Sequence, residues 1–423
     1  MTEKLAPPPS SLCVLLVSNY LADRQESMRR FAAMMERELV AAGHTVSLIR
    51  PELCFGRLRP GATGLGKWLG YLDKFVVFPF ALRRKLSAVS SRAERDRLPT
   101  AARRERPEGR INQLSAFPIV HICDHSNAFY TRYLRDVPHV VTCHDLLAVR
   151  SALGDIPQNR TRWSGRVLQR LVRRGLERAR AIACVSAAAQ RDVLRLIKGA
   201  EQRSRVVNNG LNAPFHPTPI GEARIRVQAR VGETGAVFPG GARYLVHVGD
   251  DSWYKNRAGV VEMFGELRRA SGENDLWLLM VGKPLDAGLK GHITEAGVQD
   301  RVVALTGVSH EDLCAIYSAA ELLLFPSLQE GFGWPVIEAQ ACGCRVVTTD
   351  RPPMNDIGGD AAAYLVPEDL SASVDVLLNV LYEDERQRQE RIEKGLANAA
   401  KYSAREMAEA YVRLYREVLK SPG

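Results

Sequence analysis

Short apolar runs alternate with amphipathic segments along the chain, and this alternation predicts strand–helix units. Residues 12–18 form an apolar run typical of a buried parallel strand. Apolar side chains then recur at helical spacing over residues 28–42, and a second strand-like run covers residues 45–49. Residues 12–49 are therefore predicted to form a parallel strand–helix–strand unit.

The same alternation continues to residue 348. The further strand-like runs are residues 119–122, 139–143, 181–185, 206–207, 244–248, 276–281, 302–305, 322–325 and 345–348. Prolines and glycines concentrate in residues 213–242, a composition typical of a linker. We therefore predict an α/β protein with two doubly wound domains, residues 1–215 and 240–400, whose ligands bind at the carboxyl ends of the strands.

A final amphipathic helix is predicted in residues 401–423. Its apolar face is formed by Met407, Tyr411, Leu414 and Tyr415. A helix of this kind needs an apolar surface on which to pack.

Composition excludes several classes of protein. Of 423 residues, 46% are hydrophobic and 25% are charged, as in ordinary globular proteins and unlike disordered chains. No apolar run approaches the roughly 20 residues that span a bilayer, and the N-terminus lacks a secretory pattern, so we expect a cytoplasmic protein. The eight cysteines show no spacing typical of zinc ligands, so we expect reduced thiols and no metal.

Positive charge is concentrated in the N-terminal half. The net charge is +10, and residues 56–110 hold 14 Lys/Arg against 5 Asp/Glu. Residues 158–180 hold 8 arginines against one glutamate. Such surfaces suit nucleic acid, an anionic membrane or an acidic substrate. Aromatic residues are not interleaved with the basic residues of the segment 88–110, which disfavours a nucleic-acid-binding function.

Residues 66–84 have the composition of an interfacial helix. Trp and Phe side chains recur there at helical spacing, and basic residues flank them. An anionic membrane surface is therefore one candidate partner. The alternative is that these apolar side chains pack on the N-terminal sheet.

Candidate chemistry is densest in residues 322–350. A strand-like run leads into a loop that contains Gly331, Phe332 and Gly333, and Pro335 suits the first turn of a following helix. The start of a helix carries unpaired N–H groups and a partial positive charge. We therefore predict an anion-binding site at this loop.

Two carboxylates accompany the loop. Glu330 precedes the glycines and Glu338 lies one turn into the predicted helix. Such carboxylates could bind sugar hydroxyls and a ribose diol, or could be a capping glutamate and a solvent-facing one. They could also act as the acid and nucleophile of a glycoside hydrolase or phosphorylase.

The sequence EGFGWPVIE, followed by AQACGCRVV, resembles the signature of the retaining glycosyltransferases of family 4. The segments TCHDL, ACVSAAAQRDVL, VVNNGLNAPFHP and HVGDDSWYKNR agree with the family's order, so the resemblance spans about residues 12–420. It implies the GT-B fold, in which two Rossmann-like domains face a central cleft and the last helix returns to the first domain. It also implies transfer of a hexose from a nucleotide diphosphate sugar with retention of configuration.

The resemblance assigns roles to individual residues. Glu330 is similar to the family's glutamate that contacts the donor sugar, and Glu338 to the one that binds the nucleotide ribose. Lys255 resembles the diphosphate-binding lysine, a charge that suits a departing diphosphate. His144 resembles the histidine near the donor sugar's hydroxymethyl group, so Glu330 and His144 are the catalytic candidates.

The sequence departs from the family at two positions. Asp250 stands where many members have an arginine, so Arg257 becomes the candidate for the second phosphate-binding cation. Residues 18–20, Ser-Asn-Tyr, replace the glycine-rich loop that often follows the first strand.

Three further residues are acceptor-side candidates, because each adjoins the carboxyl end of a predicted strand. They are Asp145, His121 and Asp124. Histidines at such positions are also often structural hydrogen-bonding groups.

The interpretation that we carry forward is a metal-independent glycosyltransferase without a cofactor. Its donor candidates are GDP-mannose and UDP-glucose, and its acceptor is a glycan or a lipid-linked glycan of polysaccharide biosynthesis. Association with the inner face of the membrane would follow from the basic segment. A nucleic-acid-binding protein and a glycoside hydrolase or phosphorylase are the alternatives.

Overall fold

The computed structural model describes residues 11–23, 25–58, 64–97 and 119–421, which form two α/β units. The first unit comprises Met1–Val185, Ala189–Val207 and Ala404–Gly423. The second comprises Ser186–Ala188 and Asn208–Ser403. The α/β fold class predicted from the alternation of apolar runs is confirmed.

The first unit contains a six-stranded parallel sheet. Its strands are β1 (Cys13–Val17), β2 (Thr45–Ile49), β3 (Ile119–Ile122), β4 (His139–Cys143), β5 (Ala181–Cys184) and β6 (Ser204–Val206). They lie in the order β2-β1-β3-β4-β5-β6. Strands β3, β4 and β5 are buried along their whole length, as continuous apolar runs in a parallel sheet should be.

Six α-helices lie in the described residues before residue 200. They are α1 (Glu26–Ala41), α2 (Gly64–Leu72), α3 (Phe78–Arg97), α4 (Leu147–Leu153), α5 (Trp163–Arg178) and α6 (Ala187–Leu196). In the part of the chain that is described, no helix combines the length and apolarity needed to cross a membrane.

A buried carboxylate holds α2 and α3 to the first unit. The two helices are continuous through a π-helical segment, Asp73–Val77. Asp73 accepts hydrogen bonds from the Tyr20 hydroxyl at 2.8 Å and from the backbone N–H groups of Phe55 and Gly56 at 2.8 and 3.0 Å. Burial alone would raise the pKa of Asp73, but these hydrogen bonds outweigh burial and lower it.

The second unit contains another six-stranded parallel sheet. Its strands are β7 (Tyr244–Gly249), β8 (Trp277–Gly282), β9 (Val302–Leu305), β10 (Leu322–Phe325), β11 (Val346–Thr349) and β12 (Ala363–Leu365). They lie in the order β12-β11-β10-β7-β8-β9.

The helices of the second unit include one within the predicted linker. They are α7 (Ile220–Gly232), α8 (Arg257–Ser271), α9 (Ala287–Glu295), α10 (His310–Ala319), α11 (Trp334–Ala341), α12 (Met354–Gly358), α13 (Leu370–Leu381) and α14 (Glu385–Ala399). Residues 213–242 are therefore not simply a linker. Ala223, Val227 and Val231 form a buried face at four-residue spacing, and α7 packs against α10.

Both sheets contain a switch point, where successive strands are added on opposite sides of the first strand. In the second sheet the chain proceeds from β7 through β8 to β9 and then returns to place β10 on the other side of β7. In the first sheet the corresponding neighbours are β1 and β3. Loops leaving a switch point diverge and create room for a ligand.

The C-terminal helix, α15 (Ala404–Lys420), belongs to the first unit. It packs against α1, β4 and β5. The hydroxyl of Tyr415 is hydrogen-bonded to Nδ1 of buried His121 at 2.7 Å, and Thr142 Oγ1 lies 2.7 Å from Nε2 of the same ring. Burial, with a smaller effect of His144, lowers the pKa of His121 to about 3, so the ring is neutral.

Replacement of Tyr415 by Phe tests this attachment. Tyr415→Phe should lower the free energy of unfolding by about 1–3 kcal/mol, because a ring nitrogen of buried His121 loses its hydrogen-bond partner. Urea unfolding measures the change. Tyr382→Phe is the control, because its exposed hydroxyl contacts Glu273 on the surface and its loss should cost no more than about 0.5 kcal/mol. Equal losses would contradict the role given to His121 and Tyr415.

Candidate active site

Lys255 is positioned by the turn that follows β7. A 3-10 turn, Trp253–Lys255, leads into Asn256, which adopts the left-handed conformation with φ of 53° before α8 begins. Asparagine tolerates this conformation better than most residues. The Asn256 amide donates to the carbonyl of Pro326 at 3.2 Å, which ties this turn to the loop after β10.

The loop after β10 carries Glu330 to the start of α11. The predicted helix start is confirmed, because α11 begins at Trp334 with Pro335 in its first turn. Gly333 precedes it with φ of 100°, a conformation that favours glycine. The N–H of Leu328 donates to the carbonyl of Tyr254 at 2.8 Å, so the loops after β7 and β10 are directly joined at the switch point.

Lys255 and Glu330 form an ion pair at this junction. Lys255 Nζ lies 2.6 Å from Oε1 of Glu330, and the Ser327 hydroxyl donates to the same oxygen at 2.9 Å. The two side chains are only 14% and 9% exposed. The ammonium group also lies 5.1 Å from the centroid of the Phe325 ring, a favourable cation–π distance. The structure therefore brings together two residues that are 75 positions apart in sequence.

Glu338 lies inside the unit, on the first turns of α11. The Tyr317 hydroxyl donates to its Oε2 at 3.3 Å, and the Asn212 amide donates to its Oε1 at 3.4 Å. Burial, together with the charge of Glu338, raises the pKa of Tyr317, so this hydroxyl remains a donor. Glu338 is held in one position by these two contacts.

Aromatic packing fixes the start of α11. Phe332 is buried, with its ring centroid 6.1 Å from that of Trp334 and 5.8 Å from that of Tyr402. The Trp334 indole donates to the carbonyl of Gly210 at 3.0 Å. Gly331 is half-buried in the same loop.

Arg257, the first residue of α8, contacts the loop after β8. Its Nη2 donates to the carbonyl of Lys283 at 2.9 Å and its Nη1 to that of Pro284 at 3.3 Å. Its buried Nε has no hydrogen-bond partner among the described residues. Burial lowers the pKa of the guanidinium, although an arginine stays protonated. Asp250 instead accepts from the N–H of Ser252 at 3.0 Å and shapes the turn.

Sequence reasoning missed His247, a fully buried residue of β7. Its Nδ1 donates to the carbonyl of Leu324 at 3.0 Å, which leaves Nε2 as an acceptor with no partner among the described residues. Burial lowers the pKa of His247 to about 4, so the ring is neutral. The sequence indicates this residue through its position two residues before Gly249, the last residue of the strand.

Strands β7 and β8 approach closely at their carboxyl ends. Gly282 has φ of 141°, and a Cβ built on it would lie 2.0 Å from the carbonyl oxygen of Gly249. A Cβ built on Gly249 would lie 3.1 Å from Nε2 of His247. These two glycines leave backbone uncovered beside Lys255 and His247.

The switch point of the first sheet joins Asn19 to Asp124. The Asn19 amide donates to Oδ2 of Asp124, and the N–H of Ser126 donates to Oδ1 at 2.9 Å. Burial by itself raises the pKa of Asp124, but His125, His144 and the Ser126 hydrogen bonds outweigh it and lower the pKa. Asp124 is therefore a buried carboxylate anion.

His144 and Asp145 follow β4 in the first unit. Nε2 of His144 is hydrogen-bonded to the carbonyl of Cys123 at 2.9 Å, and its ring meets Phe31 edge-on with the centroids 4.9 Å apart. Burial lowers the pKa of His144, against the opposing charge of Asp124. Asp145 lies just before α4 and accepts from the N–H of Leu147, the first residue of that helix, at 2.9 Å.

His121 differs from these polar groups in its contacts. It is fully buried, both ring nitrogens are hydrogen-bonded, and its ring stacks on Tyr411 with the centroids 4.9 Å apart. These contacts favour a structural role for His121 in holding α15.

No metal-binding cluster is found in the described ranges. Groups of three or more His, Cys, Asp and Glu side chains with suitable geometry do not occur among those residues.

Two family models match the two parts of the chain. The model described as Glycosyltransferase Family 4 matches residues 28–213, and the model described as Glycosyl transferases group 1 matches residues 235–397. The predicted resemblance is therefore found in both halves. The second match contains Lys255, Glu330 and Glu338.

Curated relatives are similar over part of their length. One is the O-antigen chain mannosyltransferase B of Escherichia coli, which is 24% identical over 62% of this chain and 66% of its own. Another is the GDP-mannose:cellobiosyl-diphosphopolyprenol alpha-mannosyltransferase of Xanthomonas campestris, 27% identical over 53% of this chain and 55% of its own. The chain thus spans about half to two thirds of the length of these relatives.

The fold is shared with solved structures. A sucrose-phosphate synthase from Thermosynechococcus elongatus matches with a TM-score of 0.66 and 17% identity, over 97% of this chain and 99% of its own. At this identity the likeness concerns the fold alone, two parallel sheets flanked by helices.

Proposed function

Because the chain belongs to the group 1 glycosyl transferases and glycosyltransferase family 4, and has the GT-B fold, we propose that it transfers a hexose from a nucleotide sugar to an acceptor hydroxyl. Transfer proceeds with retention of anomeric configuration. The observation that carries the proposal is the Lys255–Glu330 ion pair, at the switch point of the second sheet and beside the start of α11.

Lys255 and α11 provide the positive charge that a departing nucleoside diphosphate needs. The ammonium of Lys255 is fixed by Glu330, and the first N–H groups of α11 add a partial positive charge. Groups that are already oriented stabilise developing charge without reorganising. Arg257 supplies the second cation, and Glu338 binds the ribose.

In the second unit the donor sugar is held by Glu330. Glu330 accepts hydrogen bonds from sugar hydroxyls while Lys255 and Ser327 keep its carboxylate in place. In the first unit, burial lowers the pKa of His144, which remains the candidate that the family resemblance assigns to the hydroxymethyl group of the sugar. Asp124 and Asp145 belong to the acceptor side, whereas His121 is left out because of its contacts with α15.

GDP-mannose is the first donor candidate and UDP-glucose the second. The name of the Xanthomonas campestris relative specifies GDP-mannose and a diphosphopolyprenol-linked acceptor. The name of the Escherichia coli relative specifies mannose transfer to an O-antigen chain. A glycan or lipid-linked glycan is therefore the acceptor class that we propose.

Substitutions in the ion pair test the proposal. Glu330→Gln should reduce sugar transfer at least about tenfold, because a charged hydrogen bond to the sugar contributes about 1.5–3 kcal/mol. Lys255→Ala should weaken binding of UDP or GDP much more than binding of uridine or guanosine, because the lysine meets the phosphates. Initial rates and calorimetric titrations measure these effects.

Lys290→Ala on the exposed surface of α9 is the matched control, because it removes the same charge away from the loops after β7 and β10. It should bind nucleotides as the wild type does. The rate assay uses a panel of nucleotide sugars with and without acceptor glycans, and the configuration of the product is read by NMR. Turnover that needs no nucleotide sugar would support a hydrolase or phosphorylase instead.

Transfer should also survive removal of divalent metals. We propose that Lys255, Arg257 and the N–H groups of α11 together neutralise the diphosphate. Thorough EDTA treatment should then leave the initial rate within about twofold, well under the tenfold that 1.4 kcal/mol represents. Complete loss of activity that magnesium or manganese restores would show that a metal ion supplies this charge.

We also propose that an apolar stripe on α2 and α3 contacts an anionic membrane. Trp68, Leu72, Val76 and Phe80 lie four residues apart and are 43–68% exposed. On the other side of the same helical segment, Phe75 packs against Phe129 with the ring centroids 4.5 Å apart. The segment thus has one side on the first unit and one side in solvent.

Basic residues follow the stripe directly. Arg83, Arg84 and Lys85 are exposed one turn beyond Phe80. An exposed apolar stripe beside cations suits a lipid bilayer with an apolar interior and anionic head groups. The partner is therefore an anionic lipid surface, on which a lipid-linked acceptor would be presented.

Vesicle sedimentation tests the membrane contact. The protein should bind phosphatidylglycerol vesicles at low salt, lose affinity steeply as salt rises, and ignore phosphatidylcholine vesicles. Trp68→Ser with Phe80→Ser should weaken binding at least about tenfold, because two large apolar side chains no longer enter the lipid. Ile225→Ser, at an exposed position of the second unit, is the control and should have no effect. Absence of binding to phosphatidylglycerol at low salt would contradict the proposal.

A further inference from the structure

A cavity of about 940 Å³ lies in the first unit, at the carboxyl ends of β1 and β2. Ser18 lines it directly after β1, and Ile49 and Arg50 line it at the end of β2. Helices α1 and α3 complete its walls. Its volume is that of a site for a small organic ligand and far exceeds the volume of a single phosphate.

Five cations line this cavity, and none of them has a carboxylate partner among the residues that the structure describes. They are Arg29, Arg30, Arg50, Arg84 and Lys85. Among the described residues, no carboxylate lies within 4.0 Å of the charged groups of these five side chains, although other exposed arginines of α1 and α5 do form such pairs. These five cations outnumber the three carboxylates of the same cavity, and an excess of positive charge creates a potential that attracts an anion.

Three carboxylates line the same cavity. Glu26 and Glu36 come from α1, and Glu52 comes from the segment after β2. Carboxylates repel a phosphate but accept hydrogen bonds from hydroxyl groups. The mixture of both charges therefore suits a ligand that carries phosphate at one end and hydroxyls at the other.

The remaining wall is apolar and belongs to the helical segment that carries the exposed stripe. Val77, Phe78 and Ala81 face the cavity, whereas Val76 and Phe80 are exposed on the other side of that segment. One helical segment thus connects the charged cavity with the apolar stripe.

We propose that this cavity binds a phosphorylated saccharide, which is the head group of the acceptor. The arginines and Lys85 bind the phosphate oxygens, and the glutamates orient sugar hydroxyls. This inference rests on the proposed function, because it specifies the substrate class of the acceptor side. The phosphate comes either from a lipid-linked glycosyl diphosphate or from a soluble sugar phosphate.

Calorimetric titration with three probes tests the inference. The probes are glucosyl diphosphoryl farnesol, glucose 1-phosphate and methyl glucoside. Both phosphorylated probes should bind, and Arg30→Ser with Arg50→Ser should weaken their binding at least about tenfold, as expected for charge-assisted hydrogen bonds. Arg37→Ser is the matched control, because Arg37 lies on α1 outside the cavity and pairs with Glu38.

The probes also distinguish the two sources of phosphate. A lipid chain that contributes to binding should make the farnesyl probe bind more tightly than glucose 1-phosphate. Tighter binding of the farnesyl probe, together with a loss of that advantage in Trp68→Ser with Phe80→Ser, would assign the site to a lipid-linked acceptor. Equal binding of both phosphorylated probes would assign it to a soluble sugar phosphate. Equal effects of the cavity variant and Arg37→Ser, or binding of methyl glucoside as tight as that of the phosphorylated probes, would overturn the inference.

Failure of this inference differs from failure of the proposed function. A protein that binds and turns over a nucleotide sugar but binds neither phosphorylated probe would retain the proposed function and overturn the cavity assignment. A protein that binds the phosphorylated probes but no nucleotide sugar would overturn the proposed function, and with it the acceptor role of the cavity.

Discussion

Parallel pairing of the strands is the constraint on which the rest of this structure depends. All twelve strands that the structure describes pair in parallel, so within each sheet every loop that follows a strand leaves at the same edge. Each sheet then reverses its order once, beside its first strand. Polar residues that lie far apart in sequence are thereby gathered, Lys255 with Glu330 in one sheet and Asn19 with Asp124 in the other.

Burial decides the chemical state of the gathered groups. His121 and His247 are fully buried, and burial lowers their pKa values to about 3 and about 4. Asp124 is buried as well, but its hydrogen bonds and neighbouring histidines lower its pKa. Burial therefore leaves the two imidazoles neutral whereas Asp124 stays ionised, because each environment favours a different protonation state.

Some structural features could be predicted from the local sequence and others could not. The start of α11 was predictable because Gly333 and Pro335 have local conformational preferences. The helical character of residues 220–232 was hidden by flanking prolines and glycines, although Ala223, Val227 and Val231 carry the helical spacing. His121 and His144 follow similar sequence patterns, and only their contacts separate the ring bonded to Tyr415 from the ring bonded to the carbonyl of Cys123. Such differences depend on neighbours that are distant in sequence.

By itself, the sequence determined the α/β class, the amphipathic face of α15 and the concentration of candidate donor-side residues near α11, since periodicity and turn residues act locally. Tertiary structure alone decided that Lys255 pairs with Glu330, that Nε2 of His247 lacks a partner among the described residues, and that Trp68 and Phe80 are exposed while Phe75 packs inward. The physical reason is that charge pairing and burial depend on distances between chain segments, which no local pattern specifies.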